Sequence, residues 1–258
     1  MKQLFNYAPS LKRVALLFTV WLFLGALLNL LFTQEQLFFA INSHYSSALN
    51  YIMYGFTLLG DGLSVFLICM IQFVYLEISK KKYKTSLIIN NAFLGTLIGN
   101  FVNTFLINLH TKSSNKITNT ITFSLNAILV NYLPGLVTQY LKHSFNCERP
   151  LKAIKELHKI HTESWWPVLH YNSFPSGHTT SAFALLIFMT VFIFPKNNKV
   201  VGLLFAMAIM VGISRIYLAA HFFKDIYLGS IVGFSIAILV ILGYQLFAPK
   251  KHKIYVQG

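Results

Sequence analysis

Long apolar segments alternate with short polar segments along most of the chain. A helix needs about 20 mostly apolar residues to cross a hydrocarbon core of roughly 30 Å. Six segments are close to this length or longer, and they predict six membrane spans: residues 14–32, 51–76, 121–141, 178–194, 200–218 and 226–247. The pattern therefore predicts an all-α fold, a polytopic membrane helical bundle with a six-span core.

A seventh apolar segment, residues 87–109, is ambiguous because it contains five asparagines: Asn90, Asn91, Asn100, Asn103 and Asn108. Each side-chain amide would need a hydrogen-bond partner in lipid. The segment is consistent with an extra span packed inside the bundle, with an in-plane helix or with a re-entrant segment. The parity of the topology depends on which of these it is.

The composition is that of a membrane protein. Hydrophobic residues make up 55% of the 258 residues and charged residues only 11%, which is outside the usual range of a soluble domain. We interpret residues 1–258 as a single domain. Its first apolar segment is interpreted as a retained anchor, because it is longer than the apolar core of a signal peptide and no A-x-A site follows it. Cys69 and Cys147 indicate no disulfide framework.

Positive charge is concentrated between the apolar segments. The formal net charge is +14, and basic residues near both ends of the chain predict that both ends are cytoplasmic, because cytoplasmic loops carry an excess of Lys and Arg. Membrane topology accounts for this charge, so nucleic-acid binding is not expected. With the basic C-terminal tail in the cytoplasm, the three polar motifs described below lie on the outer face. The N-terminal end is then also cytoplasmic if residues 87–109 do not cross the membrane.

His221 and Asp225 are four residues apart beside an apolar segment, where ionisable residues are costly and usually functional. On a helix this spacing places both side chains on one face. The carboxylate can hold one ring nitrogen as N–H while the other nitrogen presents its lone pair. This pattern makes His221 a candidate nucleophile and Asp225 its orienting partner.

The tetrapeptide Pro175-Ser176-Gly177-His178 opens the fourth apolar segment. Proline and serine are favoured at helix starts, where free backbone N–H groups attract anions. Gly177 permits a close approach of the backbone, Ser176 offers a hydroxyl donor, and His178 is placed to protonate a leaving oxygen. Taken alone, the tetrapeptide is also typical of an ordinary helix start.

Three cations accompany these motifs: Lys142, Arg149 and Arg215. A phosphoryl transition state is stabilised by positive charge and fixed donors around its equatorial oxygens. The planar fork of arginine suits bidentate contact with phosphate, whereas Lys142 acts more as a point charge. The alternative for Lys142 is that it only snorkels at the end of a span.

The polar stretch 147–172 lies between the first two motifs. The spacing of Lys152, Lys155 and Lys159 predicts that they share one side of a short helix, and the Trp165-Trp166 pair suits a membrane interface. Two interpretations stay open. The stretch is either a solvated basic loop or a lid that helps to recruit anionic lipid.

Together the motifs resemble the signature of the type 2 phosphatidic acid phosphatase family, which is K-x6-R-P, P-S-G-H and S-R-x5-H-x3-D. Every signature position is matched: Lys142, Arg149, Pro150, Pro175, Ser176, Gly177, His178, Ser214, Arg215, His221 and Asp225. The matching region, residues 142–225, covers about a third of the chain. One departure is a long interval between Gly60-Asp61-Gly62 and the first motif, as though residues 80–119 were an insertion.

The resemblance implies a metal-independent phosphatase that needs no cofactor, built on a six-span core. It implies that His221 forms a phosphohistidine intermediate, that Asp225 orients His221, and that His178 acts first as an acid and then as a base. The residues implied in phosphate binding are Lys142, Arg149, Ser176, Gly177 through its backbone, and Arg215. Pro150, Pro175 and Ser214 would support the motifs.

Bacterial members of the family act on undecaprenyl pyrophosphate, phosphatidylglycerol phosphate, phosphatidic acid or lipid A phosphates. The resemblance therefore implies a membrane lipid phosphate as substrate, with a polyprenyl pyrophosphate or a glycerophospholipid phosphate favoured. It also implies location in a bacterial inner membrane with the site facing the periplasm or exterior.

Two alternatives are a lipid A phosphatase and a non-catalytic protein that binds or transports lipid headgroups. Simple binding needs neither a nucleophile nor an acid, so His178, His221 and Asp225 argue against the second. Vanadium haloperoxidases are similar in these motifs, but they are soluble proteins.

Overall fold

The computed structural model describes residues 8–61, 116–163 and 167–247, and all regular elements within these ranges are helical. Eight α-helices and one 3-10 turn occur in this part of the chain. They are α1 (Ser10–Leu31), α2 (Gln34–Asn42), α3 (Ser47–Leu59), α4 (Lys116–Phe145), α5 (Pro150–Ala153), the 3-10 turn Leu157–Lys159, α6 (Gly177–Phe192), α7 (Asn198–Tyr217) and α8 (Phe223–Phe247).

Three described helices are long and apolar enough to cross a membrane, namely α1, α7 and the Phe223–Gly243 part of α8. Helix α6 is apolar but shorter, with 16 residues, and α4 contains Pro134 within the helix. The protein is an integral membrane protein whose described part is all-helical. The prediction of one continuous helix over residues 51–76 is wrong, because α3 ends at Leu59 with Gly60 as its C-cap. The count of six spans stays a prediction, because residues 62–76 and the segment 87–109 lie outside the described residues.

One side of α1 is apolar yet open to the surroundings. Leu16, Phe23 and Leu30 are 65%, 69% and 81% exposed, while Val14 and Phe18 on the same helix are buried in the main apolar cluster. In an integral membrane protein, such a face contacts lipid tails, which are as apolar as leucine. The exposed side of α1 therefore marks the periphery of the bundle.

Helix α6 lies at the centre of the bundle. The ring of Phe183 on α6 is fully buried, and it packs against Phe18 and Trp21 of α1 and against Phe205 of α7. Buried residues of α8 belong to the same apolar cluster. A helix that is covered on all sides can hold the residues at its N-terminus in a fixed position.

Two glycines allow α8 to approach α6 closely. Gly229 and Gly233 form a G-x-x-x-G pattern on α8, which is typical of close helix contacts in membranes. A Cβ atom on Gly229 would lie 2.6 Å from the carbonyl oxygen of Ser176, and a Cβ atom on Gly233 would overlap the carbonyl oxygen of Thr180. Only glycine, whose side chain is a hydrogen atom, fits at these two positions.

Residues 160–163 are hydrogen-bonded to α2, to α3 and to the segment between these two helices. The buried Asn42 amide donates to the carbonyl oxygens of His161 (3.0 Å) and Tyr217 (2.8 Å), and it accepts from the backbone N–H of His161 (3.0 Å). The carboxylate of Glu163 accepts from the hydroxyl of Tyr45 (2.6 Å) and from the amide of Asn50. The polar stretch between the first two motifs is therefore anchored at its middle.

The prediction that Lys152, Lys155 and Lys159 share one short helix is wrong. Helix α5 ends at Ala153, because Ile154 adopts an extended backbone and buries its side chain in an apolar cluster. Lys159 instead pairs with Glu156, and the Lys152 ammonium lies 6.0 Å from the centre of the Tyr171 ring. Trp165 and Trp166 lie outside the described residues, so both interpretations of this stretch stay open.

We expect Gly233→Ala to lower the thermal stability of the purified protein, because the new methyl group would force the backbones of α6 and α8 apart. Gly243→Ala on the same helix is the matched control, since a Cβ atom there meets nothing within 4 Å. Alanine is the better helix former by about 1 kcal/mol, so the control should be neutral or slightly stabilising. Equal melting temperatures for the two variants in detergent would contradict the close contact.

Candidate active site

The three sequence motifs meet at one end of the bundle. Lys142 lies near the end of α4, Ser176 is the N-cap of α6, and Arg215 lies in the last turn of α7. Arg149 is the N-cap of α5 and Asp225 lies in the first turn of α8. Residues that are far apart in sequence are therefore brought into one polar site.

Arg149 is held by backbone carbonyl groups. Its Nε atom donates to the carbonyl oxygen of Tyr171 (2.8 Å), Nη1 donates to that of Ala220 (2.9 Å), and Nη2 donates to that of Asn172 (3.2 Å). The residue is only 6% exposed. Arginine stays protonated in proteins, so a positive charge with a fixed orientation lies inside the site.

Asn172 joins two of the cations. Its backbone adopts the left-handed conformation, with φ 57°, which asparagine tolerates better than most residues. The carbonyl oxygen of Asn172 accepts from Arg149 Nη2 and from Lys142 Nζ, the latter at 3.1 Å. This turn places the Lys142 ammonium beside the Arg149 guanidinium.

The turn after α7 is a Schellman motif. The N–H of Ala219 donates to the carbonyl oxygen of Ile216 (3.0 Å), and the N–H of Ala220 donates to that of Arg215 (2.9 Å). Ala219 has φ 54°, a conformation that costs a non-glycine residue roughly 1–2 kcal/mol. The turn reverses the chain and carries His221 back over Arg215, whose carbonyl oxygen also accepts from the N–H of His221 at 3.1 Å.

His221 and Asp225 do not share a helix, so the expectation drawn from their spacing is wrong in this respect. His221 lies in the turn before α8, and Asp225 is the third residue of α8. The Asp225 carboxylate accepts from the N–H of Phe222 at 2.9 Å, which is half of a capping box. The same oxygen lies 3.3 Å from His221 Nδ1. Asp225 therefore contacts His221 from the N-terminal cap of α8, and not from a helix face that the two residues share.

The two nitrogens of the His221 ring have different surroundings. Nδ1 faces the Asp225 carboxylate at 3.3 Å and the Ser173 hydroxyl at 3.4 Å. Nε2 faces Arg149 Nη1 at 3.5 Å. A carboxylate accepts and does not donate, so the proton lies on Nδ1 and the lone pair of Nε2 points toward the cations.

The pKa of His221 is lowered well below its ordinary value. The main cause is burial, followed by the positive charges of Arg149, Arg215 and Lys142. Burial disfavours the charged imidazolium, and neighbouring cations do the same. His221 is therefore neutral near pH 7, which is the form that can attack an electrophile.

The second motif opens α6. The Ser176 hydroxyl oxygen caps the helix by accepting from the N–H of Thr179 at 3.5 Å and from its hydroxyl at 3.0 Å. A Cβ atom on Gly177 would make an ordinary van der Waals contact with Thr138 Cγ2 at 3.8 Å. His178 is half-buried and close enough to interact electrostatically with the three cations and with His221. The N-terminus of α6 thus faces the same site.

The third motif is supported by Thr57, a residue that the sequence did not single out. The Ser214 hydroxyl donates to the carbonyl oxygen of Val211 (2.7 Å), so the Thr57 hydroxyl is the donor in its 2.8 Å bond to Ser214. Thr57 in turn accepts from Arg215 Nη1 at 3.4 Å. This chain of bonds fixes the guanidinium of Arg215 from the side of α3.

Sequence reasoning also missed Ser173, which lies beside the histidine and the carboxylate. Neither Thr57 nor Ser173 carries a distinctive signal, because buried hydroxyl residues are common in helices and turns. Within the three described ranges, no group of three or more His, Cys, Asp or Glu side chains is arranged to hold a metal ion.

The profile of the PAP2 superfamily matches residues 123–248, a region that contains all three motifs. The chain carries a PAP2 superfamily domain. The resemblance to the type 2 phosphatidic acid phosphatase family is thereby confirmed. The matched region begins after α1, α2 and α3, so the helix that carries Thr57 lies outside it.

Two curated proteins share part of this PAP2 region. The probable diacylglycerol pyrophosphate phosphatase 1 of Schizosaccharomyces pombe is 37% identical in an alignment of 103 residues, and the alignment covers 34% of this chain and 36% of that protein. Phosphatidylglycerophosphatase B of Bacillus subtilis is 34% identical in an alignment of 106 residues, and the alignment covers 37% of this chain and 50% of that protein. The alignments thus span half or less of these relatives.

Two solved structures are similar over most of the chain. The crystal structure of Aquifex aeolicus LpxE has a TM-score of 0.51 at 21% sequence identity. The alignment covers 81% of this chain and 94% of the LpxE chain. The crystal structure of the first transmembrane PAP2 type phosphatidylglycerolphosphate phosphatase from Bacillus subtilis has a TM-score of 0.48 at 22% sequence identity. The alignment covers 92% of this chain and 97% of that chain. The likeness to LpxE supports the PAP2 fold.

We expect Arg149→Lys to weaken the binding of orthovanadate, a mimic of the phosphoryl transition state, by about tenfold or more. A lysine cannot donate to the carbonyl oxygens of Tyr171, Asn172 and Ala220 and still present a planar edge to an anion. Isothermal titration calorimetry in detergent measures the affinity. Lys155→Met, which removes an exposed charge, is the control and should bind as wild type. Unchanged affinity in Arg149→Lys would contradict the role of the guanidinium.

Proposed function

We propose that the protein is a metal-independent lipid phosphatase that removes a terminal phosphate from a membrane lipid. The PAP2 superfamily domain and two relatives that are named as phosphatases support a lipid phosphate hydrolase. One observation carries the mechanism. The Nε2 atom of the buried His221 lies 3.5 Å from Arg149 Nη1, while its Nδ1 atom lies 3.3 Å from the Asp225 carboxylate.

In the first step, His221 Nε2 attacks the phosphorus atom and forms a P–N bond. The bond between phosphorus and the leaving oxygen breaks, and that oxygen takes a proton from the imidazolium form of His178, which the negative charge of the bound phosphate stabilises. The product is a phosphohistidine together with the dephosphorylated lipid. Asp225 stabilises the ring as its positive charge develops, because its carboxylate faces the protonated Nδ1.

In the second step, a water molecule attacks the phosphorus atom of the phosphohistidine. His178, now deprotonated, takes a proton from this water. The P–N bond breaks, Nε2 recovers its lone pair, and inorganic phosphate leaves. His178 lies at the start of α6, on the electropositive end of the helix and near both His221 and the cations.

Lys142, Arg149 and Arg215 are proposed to bind the equatorial oxygens of the phosphoryl group. All three are close enough to act electrostatically on His221, so a phosphate within reach of Nε2 is within reach of their charges. Fixed donors need no reorganisation as negative charge shifts in the transition state, which is the main source of catalysis in phosphoryl transfer. The Ser176 hydroxyl and the Gly177 N–H are proposed to complete this set.

The substrate is proposed to be a polyprenyl pyrophosphate or a glycerophospholipid phosphate. The favoured location is a bacterial inner membrane, as the family resemblance implies, and the basic residues near both ends of the chain favour a site at the outer face. A phosphate carried on a lipid tail would then enter from the outer leaflet. Lipid A phosphates are the alternative within the same chemistry.

We expect His221→Ala to reduce phosphate release by at least about a thousandfold, because no other group replaces the nucleophile. The reaction is followed with detergent-purified protein, and rapid quenching with a ³²P-labelled lipid tests for a base-stable, acid-labile phosphoenzyme in the wild type. His158→Ala, which changes an exposed histidine in the 3-10 turn, is the control and should keep full activity. Full turnover in His221→Ala would rule out this nucleophile.

We expect phosphate release to persist in a chelator without added metal, with the highest kcat/KM for undecaprenyl pyrophosphate or phosphatidylglycerol phosphate and lower values for phosphatidic acid and lipid A. The proposed charge stabilisation comes from Lys142, Arg149 and Arg215. The His221→Ala variant corrects for contaminating phosphatases. Loss of release in the chelator, restored by a divalent cation, would contradict the mechanism. A preference for lipid A would select the alternative substrate.

A further inference from the structure

Ser173 lies at the centre of the site although it belongs to none of the three motifs. Its side chain is fully buried. The hydroxyl donates to Asp225 Oδ2, and its oxygen lies 3.4 Å from His221 Nδ1. Ser173 therefore contacts both the proposed nucleophile and the carboxylate that orients it.

Ser173, Asp225 and His221 form one hydrogen-bonded group. The Ser173 hydroxyl has one proton, which goes to the Asp225 carboxylate, since an ionised carboxylate only accepts. The oxygen of Ser173 is then an acceptor toward His221. The N–H at His221 Nδ1 faces Asp225 Oδ2 at 3.3 Å and Ser173 Oγ at 3.4 Å, and the backbone of Ser173 also hydrogen-bonds the ring. Two acceptors on one side of the ring stabilise the Nδ1–H tautomer more than one would.

The same short segment connects this pair to the phosphate-binding cations. The carbonyl oxygens of Tyr171 and Asn172, directly before Ser173, accept from Arg149. The N–H of Ser173 donates to the carbonyl oxygen of Cys147 at 3.0 Å. Because these hydrogen bonds fix the backbone of residues 171–173, the hydroxyl of Ser173 has a defined position relative to the Arg149 guanidinium and the His221 ring.

We propose that Ser173 is a positioning residue that fixes the tautomer and the ring orientation of His221, acting directly on Nδ1 and through the Asp225 carboxylate. The proposal rests on the proposed function, in which Nε2 of His221 attacks the phosphoryl group. Ser173 touches neither the phosphorus nor the leaving oxygen in this scheme. It sets the direction of the attacking lone pair.

The kinetic test compares Ser173→Ala with Ser230→Ala. Ser230 is an equally buried serine whose hydroxyl bonds Trp21 and the carbonyl oxygen of Tyr227, away from the site. We expect Ser173→Ala to lower kcat by about tenfold to a hundredfold, the usual effect of losing a hydrogen bond to a charged group. The KM and the orthovanadate affinity should change by less than about twofold, because the cations that bind phosphate are unaltered. Ser173→Thr, which retains the hydroxyl, should recover most of kcat.

Two kinetic outcomes would overturn the proposal. One is a kcat of Ser173→Ala within about twofold of wild type and of Ser230→Ala. The other is a loss of vanadate affinity and melting temperature in proportion to the loss of kcat, which would indicate a merely structural serine. If the wild type releases no phosphate from any lipid, the proposed function fails, and the proposal about Ser173 is then judged by a measurement that needs no turnover.

That measurement is the ¹⁵N spectrum of the histidine rings in labelled protein, with the His221 signals assigned from His221→Gln. We expect the wild type to show a protonated Nδ1 and an unprotonated Nε2 at His221. Ser173→Ala should show a mixture of tautomers, and Ser230→Ala should match the wild type. An unchanged Nδ1–H tautomer in Ser173→Ala would overturn the proposal whatever the activity of the protein.

Discussion

The site depends on the need to satisfy one buried guanidinium. Arg149 is almost fully buried and must find acceptors for its N–H groups, since each unpaired buried donor costs about 1–3 kcal/mol. It finds them in three carbonyl oxygens, of Tyr171, Asn172 and Ala220. These belong to two segments that are about fifty residues apart in sequence. One side chain therefore fixes both the loop before α6 and the turn before α8, and it does so while one edge still faces His221.

The helices before the PAP2 region complete the site. Thr57 on α3 holds Ser214 and the guanidinium of Arg215, and Asn42 at the end of α2 joins the 160–163 segment to Tyr217. Tyr217 lies two residues beyond Arg215, so this bond supports the same end of α7. The matched region, residues 123–248, thus contains the motif residues, while the first three helices restrain two of the segments that carry them.

The long helices were predictable because a membrane imposes a minimum length on apolar segments, and α1, α7 and α8 begin and end within four residues of the predicted spans. The cluster of motif residues was predictable from their chemistry. The position of His221 on a turn was not, because the Schellman motif has Ala219 where glycine is the usual signal. Ser173 and Thr57 were missed because a hydroxyl that bonds across the fold leaves no pattern along the chain. Gly229 and Gly233 do form a recognisable pattern in the sequence, the G-x-x-x-G spacing on α8.

Those two glycines connect the packing of the bundle to the geometry of the site. Lipid tails are as apolar as the helix faces, so burial alone gives little reason for α6 and α8 to associate, and close backbone contact must supply it. The contact at Gly229 is made with the carbonyl oxygen of Ser176, and the N–H of Ser176 donates to the carbonyl oxygen of Asp225 at 2.9 Å. The N-cap of α6 and the first turn of α8 are thus pressed together by the same contact that packs the helices. Any side chain that separated the two helices would also move the N-terminus of α6 away from His221, so in this region stability and site geometry depend on the same few atoms.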